Sequence, residues 1–82
     1  MLLEILSPEK QIFEGKVYSV TFPGSDGSFQ VLNNHAPLIS FLSKGEISYI
    51  IDKKDERVFI SSGIVEILEN KICALVEKSS DK

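Results

Sequence analysis

Tryptophan is absent from this chain of 82 residues, and cysteine, histidine and methionine each occur once. The single Cys73 excludes an internal disulfide, so packing or a partner must hold the fold together. One histidine and one cysteine, far apart in sequence, make no four-ligand set, and no metal is expected. Basic residues are the minority, nine Lys and Arg against twelve Asp and Glu, for a formal net charge of -3. The only adjacent basic pair, Lys53-Lys54, is flanked by Asp52 and Asp55. That pattern excludes a phosphate-tracking groove, which needs clustered Lys and Arg, so nucleic acid is not an expected partner. No apolar run approaches the ~18 residues that span a bilayer. The start, Met1-Leu2-Leu3-Glu4, lacks the basic region of a signal peptide. Direct membrane insertion is therefore not expected. Walker, Rossmann and zincin patterns are missing as well, and no cofactor is expected.

What is present suits one small folded domain: 43% hydrophobic and 26% charged residues. A chain this short buries only ~60% of its unfolded surface, which leaves little depth for a catalytic cleft. No stretch long enough for a helix keeps a period of 3.6, whereas several keep a period of two. In Glu46 to Asp52, Ile47, Tyr49 and Ile51 face one way and Glu46, Ser48 and Asp52 the other. Val58 and Ile60 restart the alternation after the charged run Asp52 to Glu56, which reads as a solvated hairpin turn. Further strands are expected over Leu2–Leu6, Gln11–Phe13, Lys16–Phe22, Ser28–Leu32, Leu38–Leu42, Ile64–Leu68 and Ile72–Val76. Gly15 and Gly63 interrupt apolar patterns and are expected to be bulges. Many short strands between frequent breakers predict an all-β sandwich or barrel. One domain over 1–78 is expected, with residues 79–82 a polar, fraying tail.

Three features invite a functional reading. Gly24-Ser25-Asp26-Gly27 has two glycines three apart, as in anion nests and nucleotide-clamping loops. Its flanks are strand-like and Asp26 would repel phosphate, so a tight turn is the better reading. His35, in Asn33-Asn34-His35-Ala36-Pro37-Leu38, has no nucleophile or orienting acid at a recognisable spacing. Pro37 restrains Ala36 toward extended backbone, so the segment is expected to be a stiff, shaped turn that makes contacts. Cys73 lies in the apolar run Ile72 to Val76 and is expected to be a buried, inert thiol. No residue is expected to be catalytic.

Taken in order, these pieces resemble the family of epsilon subunits of bacterial F-type ATP synthases. The resemblance runs from Leu3-Glu4-Ile5-Leu6-Ser7-Pro8 to Phe13-Glu14-Gly15, through Pro23-Gly24-Ser25-Asp26-Gly27 and His35-Ala36-Pro37-Leu38. It continues over Leu42-Ser43-Lys44-Gly45-Glu46-Ile47 and Ser61-Ser62-Gly63-Ile64-Val65-Glu66-Ile67. It implies a ten-stranded sandwich of two sheets. It also implies a non-catalytic rotor subunit of the central stalk, wedged between the gamma subunit and the polar loops of the membrane c-ring. Such a subunit is peripheral, on the cytoplasmic face of the bacterial inner membrane. It couples ion-driven rotation to ATP synthesis by the whole complex. By the same resemblance, Ser25, Asp26, Gly27 and Ser28, with His35, Ala36, Pro37 and Leu38, form the ring-facing edge. Ser28 departs from relatives that carry an acid there, so Asp26 is expected to take that role. Many relatives continue into a C-terminal helical hairpin that inhibits ATP hydrolysis. A naturally short chain ending at Lys82 would lack that arm, and a truncated one would read the same. The alternatives are an unrelated sandwich module binding a peptide or glycan, and, more remotely, an enzyme centred on His35.

Overall fold

A computed structural model describes residues 1–79. Eight strands appear in chain order: β1 (Leu2–Leu6), β2 (Gln11–Lys16), β3 (Ser19–Phe22) and β4 (Phe29–Val31), then β5 (Leu38–Leu42), β6 (Gly45–Ile51), β7 (Lys54–Leu68) and β8 (Lys71–Lys78). Hydrogen bonding follows the order β2-β1-β8-β7-β6-β3-β4, with β5 also on β7. Because β7 is 15 residues long, its two halves serve different sheets. Its first half pairs with β6, which continues to β3 and β4. Its second half lies between β5 and β8, which continues to β1 and β2. The result is a two-sheet sandwich, four strands against five with β7 counted in each.

The ten strands implied by the resemblance become eight among the described residues; β7, unbroken through both sheets, accounts for one of the two. Its bend has local causes. One extra residue, Ser61, stands between the β8-paired residues Ile60 and Ser62. On the opposite edge β5 and β6 keep one continuous register against β7, parted only at Ser43-Lys44. Bulging one edge and opening the other lets the two halves diverge. Gly63 is therefore not the bulged residue, but it is required beside it. A Cβ there would lie 2.8 Å from the Leu75 carbonyl oxygen and 3.0 Å from Val76 Cγ1. Gly15 is no bulge either. It is a regular β2 residue opposite Leu3, and the register shift in that pair falls at Ile12.

The core follows the period of two. Leu3, Ile5, Val20, Phe22, Ile47, Ile60, Val65 and Ile72 are fully or almost fully buried between the sheets. Fully burying each large side chain contributes ~1.5–3 kcal/mol. Phe13 of β2 meets Tyr49 of β6 with ring centroids 4.5 Å apart, joining the far strand of one sheet to the middle of the other. The charged run behaves differently from its expected solvated turn. Only Asp52 and Lys53 turn, both in the left-handed region (φ 51° and 64°), while Lys54, Asp55 and Glu56 already pair with Ile51, Ile50 and Tyr49. Glu69 and Asn70 close the β7–β8 hairpin in the same way (φ 51° and 64°). Two positive φ values in a two-residue loop match the twist of the flanking strands. The expected tail lies outside the described residues except for Ser79, whose N–H donates to the Phe59 carbonyl at 3.0 Å.

Candidate functional site

The five-stranded sheet buries one face in the core and turns the other outward. The outward side chains include an apolar cluster, Ile39 and Phe41 on β5, Ile64 on β7 and Leu75 on β8, with Glu66 beside Ile39 and the charged Glu4 and Lys71 further out. Ile39, Phe41 and Leu75 are 66%, 69% and 53% exposed, so none of the described residues covers them. Register makes them one patch. Ile64 stands between Phe41 and Leu75, and Leu75 is in turn beside Leu6 of β1. At one end of the patch is an open groove of ≈ 510 Å³, lined by Phe41, Leu42, Ile64, Leu75 and the Ser7-Pro8 turn. A contiguous exposed apolar patch of this kind marks an interaction surface. The expected contact Leu38 is only half exposed and packs against the core; its two neighbours along β5, Ile39 and Phe41, carry the exposed apolar area.

Cys73 belongs to this outward face and not to the core, correcting the sequence reading. On β8 the inward residues are Ile72, Ala74 and Val76, which leaves Cys73 half-buried beside Glu4 and Glu66. Burial and those carboxylates push its thiol pKa up, which keeps more of it protonated and slows its reactions.

The loop Ser25-Asp26-Gly27-Ser28 is the tight turn expected, with the Gly27 N–H donating to the Gly24 carbonyl at 3.0 Å. Gly24 is fitted under Phe29, whose ring atoms lie 2.9 Å from where a Cβ would stand. Ser25 N–H to Phe41 O (3.0 Å) and Ser43 N–H to Pro23 O (2.8 Å) fasten the loop to the end of β5. All four loop residues are exposed. The other segment, His35-Ala36-Pro37-Leu38, leads into the opposite end of β5. The two expected contact segments thus occupy opposite ends of β4 and β5, and the structure does not bring them together. Ring nitrogen Nδ1 of His35 is 2.7 Å from the Ala36 carbonyl, a contact within its own turn.

Sequence reasoning missed Asn70. Its side-chain carbonyl accepts the Asn34 N–H, and its amide donates to Asn33 Oδ1, both at 2.8 Å. A left-handed asparagine in a two-residue hairpin loop was a signal for the turn, but nothing nearby in sequence pointed to residues 33 and 34. The outward face of the four-stranded sheet is polar by contrast. Arg57 bridges Glu46 and Asp55, the latter at 2.8 Å, and these hydrogen bonds push the guanidinium pKa further up. Among the described residues there is no cluster of three metal-ligating side chains. The two most exposed aromatics, Tyr18 and Phe41, line different grooves and form no aromatic platform.

A small two-sheet sandwich with one uncovered apolar face and two fastened end loops defines a protein-binding module. The particular family is given by comparison: residues 1–80 match the β-sandwich domain of the delta/epsilon chain of ATP synthase, and the chain belongs to that family. It is 50% identical over 76 residues to the ATP synthase epsilon chain of Nitratiruptor, covering 92% of this chain and 59% of that one. Against the epsilon chain of Chlorobium limicola it is 40% identical over 79 residues, covering 95% and 90%. The chain therefore spans somewhat over half of the first relative and nearly all of the second. Its fold is also that of a chain in the central stalk and c-ring of the Tetrahymena thermophila mitochondrial ATP synthase. That match has TM-score 0.81 at 13% identity, over 94% of this chain and 63% of that one. A chain of the Euglena gracilis mitochondrial ATP synthase matches with TM-score 0.84 at 18% identity, over 90% and 48%.

Proposed function

We propose that this chain is a non-catalytic subunit of the central stalk of an F-type ATP synthase, seated between the gamma subunit and the c-ring on the cytoplasmic face of the membrane. The observation that carries this reading is the uncovered apolar face around Ile39, Phe41 and Leu75 in a chain of the epsilon family. An apolar sheet face suits a long-lived seat on another protein, because desolvating it is favourable, with Glu66 beside Ile39 left for the partner to pair. We assign that face, with the adjoining His35 to Leu38 segment, to gamma. The exposed Ser25 to Ser28 loop, polar and carrying Asp26, is assigned to the polar loops of the ring. This divides the two segments according to their positions at opposite ends of the sandwich. The chain then transmits rotation as a rigid wedge and performs no bond chemistry.

The test is reconstitution with gamma and the c-ring, comparing ion-driven ATP synthesis with and without the chain. Recovery of coupled synthesis on adding it supports the reading. A folded chain that binds neither partner refutes it.

A further inference from the structure

We infer that Asn70 is a positioning residue for the partner-facing segment His35 to Leu38. This rests on the assignment of that segment to a contact with gamma. Residues 32, 33, 34, 36 and 37 are all exposed, so packing does little to fix the approach to His35. The turn there closes on itself by His35 N–H to Leu32 O at 3.2 Å, with Asn34 in the left-handed region (φ 66°). What links this turn to the sheets across a long stretch of sequence is Asn70. Its carboxamide makes two bonds of 2.8 Å, one to each of two successive residues. The orientation of the amide is determined by chemistry: the Asn34 N–H can only donate, so the oxygen of Asn70 must face it. The main-chain carbonyl of Asn70 also accepts the Leu2 N–H at 3.2 Å. One residue thus ties the start of β1, the β7–β8 turn and the 33–34 turn into one body.

The turn itself does not demand asparagine. At φ 64° glycine would serve the hairpin as well or better, but it would give up both side-chain bonds. Asn70→Gly therefore separates the turn from the tie. Asn70→Asp keeps the oxygen that accepts the Asn34 N–H and removes the donor to Asn33. Hydrogen exchange of the Asn34 amide and affinity for gamma are the two readouts, with melting temperature as the control. In Asn70→Gly, exchange at Asn34 should speed up about tenfold and affinity for gamma should fall about fivefold, with melting unchanged or slightly raised. Asn70→Asp should restore much of the Asn34 protection and part of the affinity. Unchanged exchange at Asn34 in Asn70→Gly overturns the inference. Faster exchange with unchanged affinity also overturns it, provided Phe41→Asp still weakens binding. If Phe41→Asp has no effect on binding either, the assignment to gamma fails first.

Discussion

The two outward faces of this sandwich are built on the same period of two, yet they are opposite in character. On the four-stranded side, Glu46, Ser48, Asp55 and Arg57 meet water, and Arg57 ties two carboxylates into a surface cluster. On the five-stranded side, Ile39, Phe41, Ile64 and Leu75 take the equivalent positions around a single central carboxylate, Glu66, whereas Ile50 and Phe59 are the apolar minority of the four-stranded side. Nothing in strand geometry requires that difference, since either face would fold with polar residues outward. The difference is therefore best explained by something that covers one side. The joint between the sides is the Ser61 bulge with Gly63, which makes one long strand present a polar face in its first half and an apolar one in its second.

The largest effect should come from breaking that joint. Gly63→Val would drive side-chain atoms into the Leu75 carbonyl and Val76, destabilising the fold by about 3 kcal/mol, to be read from urea unfolding. Next comes the apolar face itself. Phe41→Asp should reduce affinity for gamma about 100-fold while melting shifts by no more than ~3 °C, because Phe41 is exposed in the free chain. Loss of folding and binding in proportion would make Phe41 a structural residue.

A smaller effect concerns pH. Burial, then Glu56, raise the Tyr49 phenol pKa above its ordinary value. The unfolded chain would lose that proton first, so above pH ~10 stability should fall as pH rises, until the folded phenol also ionises. Tyr49→Phe should flatten that alkaline limb relative to the parent chain, measured by unfolding at pH 9 to 11. The smallest effect is expected on the polar face. Arg57→Ala should leave both the urea midpoint at moderate salt and the affinity for gamma nearly unaltered. A drop comparable to that of Phe41→Asp would remove the distinction between the faces.

Much of the fold could be read from the sequence because inward and outward residues alternate visibly. Leu2–Leu6 and Leu38–Leu42 emerge with their expected bounds. The charged run did not, because charge reports solvent and not backbone. Asp55 and Arg57 point outward from a paired strand as readily as from a loop. Cys73 was placed inside by its apolar neighbours, although one step of register puts it on the other face of β8. The apolar interaction face was hidden for the same reason. Residues such as Phe41 and Leu75 look like core until pairing shows which side they take. The tie from Asn70 to Asn33 and Asn34 spans nearly half the chain, beyond the reach of any local pattern.

Cys73 supplies a built-in reporter for the central claim, since it is the only cysteine and lies half-buried on the apolar face. The decisive measurement is its rate of alkylation in the free chain and in the reconstituted complex with gamma, at one fixed pH. If the apolar face is the seat of gamma, alkylation should slow at least tenfold on assembly, and Phe41→Asp should abolish the slowing at matched concentrations. An assembled complex in which Cys73 reacts as fast as in the free chain would contradict the assignment.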